Sequence, residues 1–258
     1  MTADALFKGL AAVLEARGRK STDRGEQIST LMKLYEGAQT PYQRIRVLLT
    51  LVAARFDYST LASTHMPIDM WKQARDELTT LIKLLLENLS YVVLEETDDY
   101  DDQVERKPNE NGEGEFVPVR GSVVSFIDRL EDEFTKSLQN TDPHATEYVE
   151  RLCDEKLLYQ TIVLGQGYFE TVLAQQLPEK MALMVSEPLR RCVMRRLEHI
   201  YSKQDVIILA LETANHEAQP DAPSSRITPS FEEVRAREDG PMHLVHALCV
   251  YLYQRIDD

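Results

Sequence analysis

The sequence contains few glycines, only three cysteines and no long apolar stretch. Only 10 of its 258 residues are glycine, and runs of β-branched residues are few, which favours helix over strand. The three cysteines, Cys153, Cys192 and Cys249, lie far apart, which indicates free thiols in a reducing compartment rather than a disulfide framework or zinc site. No apolar stretch approaches the roughly 20 residues that cross a bilayer, and no secretory signal opens the chain. We therefore expect a helical protein with no membrane partner.

Basic residues are in the minority, with 29 Lys and Arg against 43 Asp and Glu, for a net charge of −14. Residues 95–115 hold ten acids and two bases, which contribute −8 and leave −6 for the rest of the chain. A charge of that size mainly affects solubility. It argues against binding nucleic acid by bulk charge and leaves only local basic patches. The apolar content of 43% suffices for a sizeable core and argues against wholesale disorder.

The first 94 residues predict an N-terminal helical bundle. Caps and prolines mark the start of four helices: Thr2 caps the first at Ala3, Asp23 or Thr22 starts the second, and Pro41 and Pro67 open the third and fourth. Helix four carries the longest apolar stripe, at the three- and four-residue steps of one helical face. Its members are Trp71, Ala74, Leu78, Leu81, Ile82, Leu85 and Leu89.

Two segments with few apolar residues interrupt the helical pattern. Residues 95–116 are acidic and contain Pro108 and two glycines, so we expect a disordered loop, either a tolerated insertion or a docking segment for a basic partner. Residues 219–240 contain three prolines and read as a Pro/Ser linker. The last helix, over residues 241–258, is apolar on one side, and we expect it to begin the next helical repeat of a longer parent.

Residues 117–218 predict central helical hairpins. A long amphipathic helix begins at Val117 and stops near Asn140, where Asn, Asp and Pro disfavour helix. Asp142 is then a candidate cap for a second helix with Pro143 at its first position. The apolar face of the first helix comprises Val119, Val123, Phe126, Ile127, Leu130, Phe134 and Leu138, and Tyr148 and Leu152 continue the stripe on the second.

The fold class that follows is all-α, an irregular helical-repeat bundle of antiparallel helix hairpins. Paired apolar stripes joined by short turns are typical of such bundles. No strict internal period is present, so the sequence does not support a regular repeat motif.

Two clusters of cations are candidate sites for RNA or for an acidic partner. Arg190, Arg191, Arg195 and Arg196 are predicted on the outside of a helix that starts at Ser186 and runs to Tyr201. A second cluster, in the loop after helix one, consists of Arg17, Arg19, Lys20 and Arg24. Each has two interpretations: a solvated surface paired with nearby acids or with a helix dipole, or a local patch for the RNA backbone or an acidic subunit.

The sequence contains no catalytic constellation, and we expect no enzyme activity, cofactor or metal. His243 and His246 have metal-ligand spacing but lack a third ligand, and Glu212 with His216 is only a pair. The Gly165-Gln166-Gly167 triplet lies inside a helical pattern with no preceding strand, so it is not a phosphate-binding loop.

A family resemblance lies in the same central stretch. The run VRGSVVSFIDRLEDEFTKSLQNTDPHATEYVERL, residues 119–152, resembles the c subunit of eukaryotic translation initiation factor 3. ARGRKSTDRGEQISTL, residues 16–31, resembles the same family, as do Asp69-Met70-Trp71 and Asp57-Tyr58. Family members are much longer, and their acidic N-terminal tail and C-terminal winged-helix module have no counterpart in this sequence. We therefore expect the chain to correspond to a region upstream of that module.

The resemblance implies a function that composition does not reveal. It implies a non-enzymatic scaffold subunit of initiation factor 3 in the cytoplasm. Such a subunit binds other subunits, especially subunit a, and the small ribosomal subunit during assembly of the preinitiation complex. The alternative is an RNA-binding helical module that contacts rRNA through the local arginine patch.

Overall fold

The computed structural model describes residues 2–17, 23–59, 64–110 and 114–255. The chain forms two compact units, Met1–Asp142 and Pro143–Asp258. Nearly all regular structure in the described ranges is helical, which confirms the prediction of an all-α bundle.

The first unit holds five helices and two short strands within the described residues. In order they are α1 Ala3–Ala16, α2 Arg24–Gly37, α3 Pro41–Ser59, α4 Ile68–Glu87, β1 Tyr91–Leu94, β2 Val117–Arg120 and α5 Val123–Gln139. The predicted caps hold at α1, where the Thr2 hydroxyl accepts a hydrogen bond from the Ala5 N–H, and at α2, where Asp23 accepts from two backbone N–H groups. Consecutive helices α2, α3 and α4 pack against one another.

Helix α4 is the central element of this unit. Six of the seven predicted stripe residues, from Trp71 to Leu85, are buried. The Trp71 indole N–H donates to the Leu130 carbonyl at 2.8 Å, and its ring lies 6.1 Å from that of Phe134. A buried indole needs such a partner, so this bond fixes α4 against α5.

The apolar periodicity of the first two helices predicts that Leu14 and Met32 are buried, and this prediction is wrong. Leu14 and Met32 face solvent, whereas Phe7 and Leu34 are buried. Successive helical residues are turned by about 100°, so Met32 points away from the face that Leu31 and Leu34 share. Leu34 also lies close to Gly9, where an added Cβ would be 3.1 Å from its Cδ2 atom, so α2 packs on α1 at the glycine.

The prediction that a long helix begins at Val117 is wrong, because residues 117–120 form strand β2. Strand β2 pairs in parallel with β1, from Tyr91 opposite Val117 to Leu94 opposite Arg120. Val117 and Val119 alternate inward and are buried, and β-branched residues flanking a proline favour strand. Helix α5 then begins after Ser122, whose hydroxyl accepts from the Ser125 N–H, and ends at the predicted Asn140.

Residues 95–116 connect the two strands, and the expectation of disorder does not hold for the described part. Parallel strands need a crossover connection, so both ends of this segment are fixed by the ladder. Asp102 pairs with Arg46 of α3 at 2.8 Å, and Arg106 donates to the Pro118 carbonyl at 2.6 Å. Acidic composition predicts disorder only when no cations oppose it, and here α3 and β2 supply them.

All regular secondary structure among the described residues of the second unit is helical. Its elements are α6 Thr146–Cys153, α7 Glu155–Leu173, α8 Glu179–Ile200, α9 Asp205–Ala218, α10 Phe231–Ala236 and α11 Gly240–Tyr253. Helix α7 is the most buried of them and packs against α8 and α9. Helix α11, which we expected to begin a further repeat, packs against α8, α9 and α10 of the same unit.

Helix α6 departs from prediction at both its start and its buried face. Its N-cap is Ala145 rather than Asp142. Leu152 is exposed, whereas Arg151 is buried and pairs with Asp154 at 3.0 Å. Helix α6 packs against α7. Its deeply buried residue is Arg151, which pairs with Asp154 at the C-terminal end of the same helix.

The predicted linker over 219–240 is folded onto the unit. The Glu170 carboxylate accepts hydrogen bonds from the Ser225 hydroxyl at 2.9 Å and from the Arg226 N–H at 2.7 Å. Helix α10 follows, with a capping box between Ser230 and Glu233. Proline and serine here form specific turns and caps, not a flexible connection.

Candidate interaction surfaces

The arginine cluster predicted on α8 is divided by the helix. Arg190 is exposed and pairs with Glu187 at 2.8 Å, and the partly exposed Arg195 pairs with Glu198 at 3.1 Å. Arg191 is half-buried. Exposed pairs of this kind contribute little to stability, so an anionic ligand can replace the glutamates beside Arg190 and Arg195.

Arg196 does not belong to that surface, and the prediction that it faces outward is wrong. Its side chain is only 4% exposed and pairs with Glu212 of α9 at 2.9 Å. It also donates to the Tyr159 hydroxyl and the Gln166 amide oxygen, both at 3.1 Å. The residue lies four positions after Cys192 and three after Val193, on the apolar stripe of α8. That spacing was the available signal for burial.

The buried groups around Arg196 shift the pKa values of Arg196 and Tyr159. Burial alone would lower the pKa of Arg196, but the carboxylate of Glu212 and the hydroxyl of Tyr159 reverse that effect and raise it. Burial raises the pKa of Tyr159, and the adjacent Glu212, which accepts its hydroxyl proton in a hydrogen bond, raises it further. This network therefore ties α7, α8 and α9 together.

A second ionic cluster joins the start of α7 to the end of α8. The Glu155 carboxylate contacts the His199 ring nitrogen Nδ1 at 2.9 Å and the Lys203 ammonium at 2.8 Å. Burial raises the pKa of Glu155, but the hydrogen bonds from His199 and Lys203 outweigh it and hold the pKa below its ordinary value.

The second predicted cation cluster is partly described. Arg17 pairs with Asp57 at 2.6 Å, and the Arg24 guanidinium donates to the Asp57 carbonyl. Arg19 and Lys20 lie outside the described residues. Two of the four cations thus converge on the C-terminal end of α3, where a helix dipole favours positive charge.

Sequence reasoning missed a third arginine cluster, which surrounds Tyr100. The Cζ atoms of Arg106, Arg120 and Arg46 lie 4.2, 5.5 and 5.9 Å from the centre of its ring. Arg46 and Arg120 are 74 positions apart along the chain, and only the fold brings the three arginines together. The one sequence signal was that Arg106 interrupts the acidic run and Arg120 follows it.

Large apolar side chains are exposed at the turn between α8 and α9. Tyr201 is 69% exposed and Val206 is 68% exposed, and Ile207 follows on the same turn. We refer to these three residues as the α8–α9 apolar surface. Clustered apolar exposure of this kind marks interaction sites on otherwise polar proteins.

A groove in the first unit is a further candidate. It has a volume of about 210 Å³ and lies among α2, α3 and α4. Met32 forms part of the wall, Leu48 and Leu51 line it, and Glu36 and Asp76 add carboxylates. Methionine adapts its shape to different partners, so the groove is suited to an apolar side chain.

The remaining sequence motifs form no chemical site within the described residues. Glu212 is engaged by Arg196, and the His216 ring stacks on Phe231 at 4.4 Å. Gly167 lies inside α7 near the ring of Pro223. Across the described ranges, no three His, Cys, Asp or Glu side chains converge as a metal site would require. None of the described helices is both long and apolar enough to cross a bilayer.

Comparison with known proteins gives one consistent family. The family described as eukaryotic translation initiation factor 3 subunit 8 N-terminus matches residues 1–258. Over 98% of its length the chain is 57% identical to the c subunit of eukaryotic translation initiation factor 3 from Mycosarcoma maydis, and it covers 27% of that protein. The corresponding c subunits of Neosartorya fischeri and Pyricularia oryzae are 43% and 44% identical over 99% and 98% of the chain. The chain spans about a quarter of the length of these relatives.

Proposed function

Since this chain belongs to the family described as eukaryotic translation initiation factor 3 subunit 8 N-terminus, we propose that it acts in translation initiation as a non-enzymatic scaffold. It binds other subunits of initiation factor 3, subunit a among them, and contributes to contact with the small ribosomal subunit in the cytoplasm. The family match over residues 1–258 is the observation that carries this proposal.

The structure supports a scaffold through what its surfaces offer. Both units have closed apolar cores, and the buried charges of the second unit are paired within it. Among the described residues, the groups that a partner could contact include the α8–α9 apolar surface, the groove of the first unit and the outward arginines of α8. Apolar surfaces rimmed by polar residues are the usual anatomy of a protein interface.

The test is binding of the full-length subunit to the other subunits after substitution of the α8–α9 apolar surface. Val206→Asp with Ile207→Asp is expected to lower affinity at least about tenfold, because central interface residues dominate binding energy. Asp205→Asn, on the same turn, is the control and should leave affinity within about twofold. Unchanged binding by the double variant, with unchanged thermal stability, contradicts this assignment of the surface.

The second candidate function is RNA binding through Arg190, Arg191 and Arg195, which share the outward side of α8. Replacing all three with alanine should weaken RNA affinity and reduce the salt slope by about 0.7 for each single-strand phosphate that is no longer neutralised. The buried Arg196 is excluded from this surface. An unchanged slope in the triple variant rules out RNA binding by these residues.

The loop after α1 adds a proposed partner contact. Arg17 and Arg24 lie at the described edges of that loop, and Arg19 and Lys20 lie between them in sequence. Charge reversal at Arg19 and Lys20 should weaken binding to an acidic subunit without lowering thermal stability. Binding that is unaffected by the reversal removes this loop from the interface.

A further inference from the structure

The acidic residues before Arg106 are held on a site built from arginines. We name residues 95–105 the acidic strap, and Arg46, Arg106 and Arg120 the arginine cradle. Asp102 of the strap pairs with Arg46 at 2.8 Å, and Asp99 pairs with Arg120 at 3.3 Å. The Tyr100 hydroxyl between them accepts a hydrogen bond from the Arg120 backbone N–H at 2.9 Å. One aromatic ring and two carboxylates of the strap thus contact the three guanidinium groups of the cradle.

Arg46 and Arg106 are held by contacts outside the strap, whereas the Arg120 guanidinium donates to Thr97 and Asp99 of the strap. Arg46 is buried on α3 and donates to the Tyr42 hydroxyl at 3.1 Å. Arg106 donates to the Pro118 carbonyl of β2 at 2.6 Å, and Arg120 is the last residue of β2 itself. A preorganised cation site loses little conformational freedom when a ligand binds, so Arg46 and Arg106, together with the β2 backbone that carries Arg120, keep their positions without the strap.

The strap is the less firmly held of the two. Asp99 is fully exposed, Asp102 is 49% exposed and Val104 is exposed. Ion pairs with exposed carboxylates are weak and are screened by salt. The strap therefore binds mainly because it is tethered at both ends, which gives it a high effective concentration at the cradle.

We propose that the arginine cradle is a docking site for an acidic peptide that carries an aromatic residue, and that the acidic strap is its self-bound competitor. The partner should resemble the acidic strap that now fills the cradle, because guanidinium groups pair with carboxylates and stack on aromatic faces. A partner of the same composition must displace the strap, so the strap sets a threshold for docking. This site goes beyond the proposed scaffold role, and its test requires no other subunit of the factor.

The test compares the unmodified chain with a strap-release variant, Asp99→Asn/Tyr100→Ala/Asp102→Asn. The probe is a fluorescent peptide of residues 95–103, EETDDYDDQ, added in trans. The strap-release variant should bind it about tenfold or more tightly than the unmodified chain, because the tethered competitor is gone. Adding Arg46→Met to the variant should abolish binding. The matched control is Glu96→Gln/Glu115→Gln, which removes two carboxylates outside these ion pairs and should behave as the unmodified chain.

Three results would overturn the proposal. They are equal peptide binding by the strap-release variant and the unmodified chain, binding that survives Arg46→Met, and binding of a polyuridine oligonucleotide in place of the peptide. Fluorescence of Trp71, the only tryptophan in the sequence, monitors folding of the same unit. Should the triple variant fail to fold, amide exchange at Arg120 in the unmodified chain provides the second measurement. Raising the salt from about 0.05 M to about 0.5 M should accelerate that exchange as the strap is released, and an unchanged rate contradicts the proposal.

Discussion

Replacing Arg196 with methionine should destabilise the second unit strongly, because it leaves a buried acid without its cation. The side chains of Arg196 and Glu212 are only 4% and 6% exposed. Methionine keeps much of the volume but removes the hydrogen bonds to Glu212, Tyr159 and Gln166. Breaking a buried ion pair on one side costs about 3–5 kcal/mol. We expect a loss of that size in the free energy of unfolding.

The double variant Arg196→Met/Glu212→Leu tests whether the loss of stability comes from the unpaired buried carboxylate of Glu212. With both charges removed, the loss should fall to about 0–2 kcal/mol, since apolar replacements of a buried pair are often neutral. Chemical denaturation followed by circular dichroism gives the free energies, and hydrogen exchange in α7, α8 and α9 localises the effect. Arg190→Met breaks only an exposed pair and should change stability by less than about 0.5 kcal/mol. A cost below about 1 kcal/mol for Arg196→Met would refute the reasoning, as would strictly additive losses in the double variant.

Three further predictions test local features. Gly240→Ala should cost about 3 kcal/mol or more in unfolding free energy, because the new Cβ would lie 1.9 Å from the Val234 carbonyl oxygen; Gly114→Ala, which meets nothing within 4 Å, is the control and should be nearly neutral by the same denaturation assay. Trp71→Phe should cost about 2 kcal/mol in thermal or urea unfolding, because a buried acceptor is left unsatisfied and a cavity opens; a neutral effect would contradict the role assigned to the indole bond. Glu155→Gln should cost about 1–2 kcal/mol at pH 7. Because the pKa of Glu155 is lower in the folded chain than its unfolded value of roughly 4.3, its contribution is complete above that pH and is lost as pH falls through the folded pKa. The difference in melting temperature between wild type and variant should therefore shrink below about pH 4, and a constant difference would argue against it.

The sequence predicted the helices whose burial follows a regular period. The stripe of α4 is an example, because seven apolar residues at helical steps fit only one buried face. The end of α5 at Asn140 was equally readable, since Asn, Asp and Pro disfavour helix for local steric and hydrogen-bonding reasons.

The failures have a different cause, because they depend on residues distant in sequence. Arg196 contacts Glu212 and Tyr159 of two other helices; its place on the apolar stripe of α8 indicates burial but does not identify these partners. Strand β2 exists since β1 lies beside it. The acidic strap is ordered by Arg46, which precedes it by about fifty residues. Periodicity cannot reveal such partners, because it describes one element at a time.

Hydrogen exchange of the chain, free and within the assembled initiation factor, tests the scaffold role most directly. A scaffold that binds through the α8–α9 apolar surface predicts slower exchange in residues 200–210 on assembly, with the interior of α7 unchanged. Exchange that is the same in both states at that turn, at the groove of the first unit and along the outward side of α8 would contradict it.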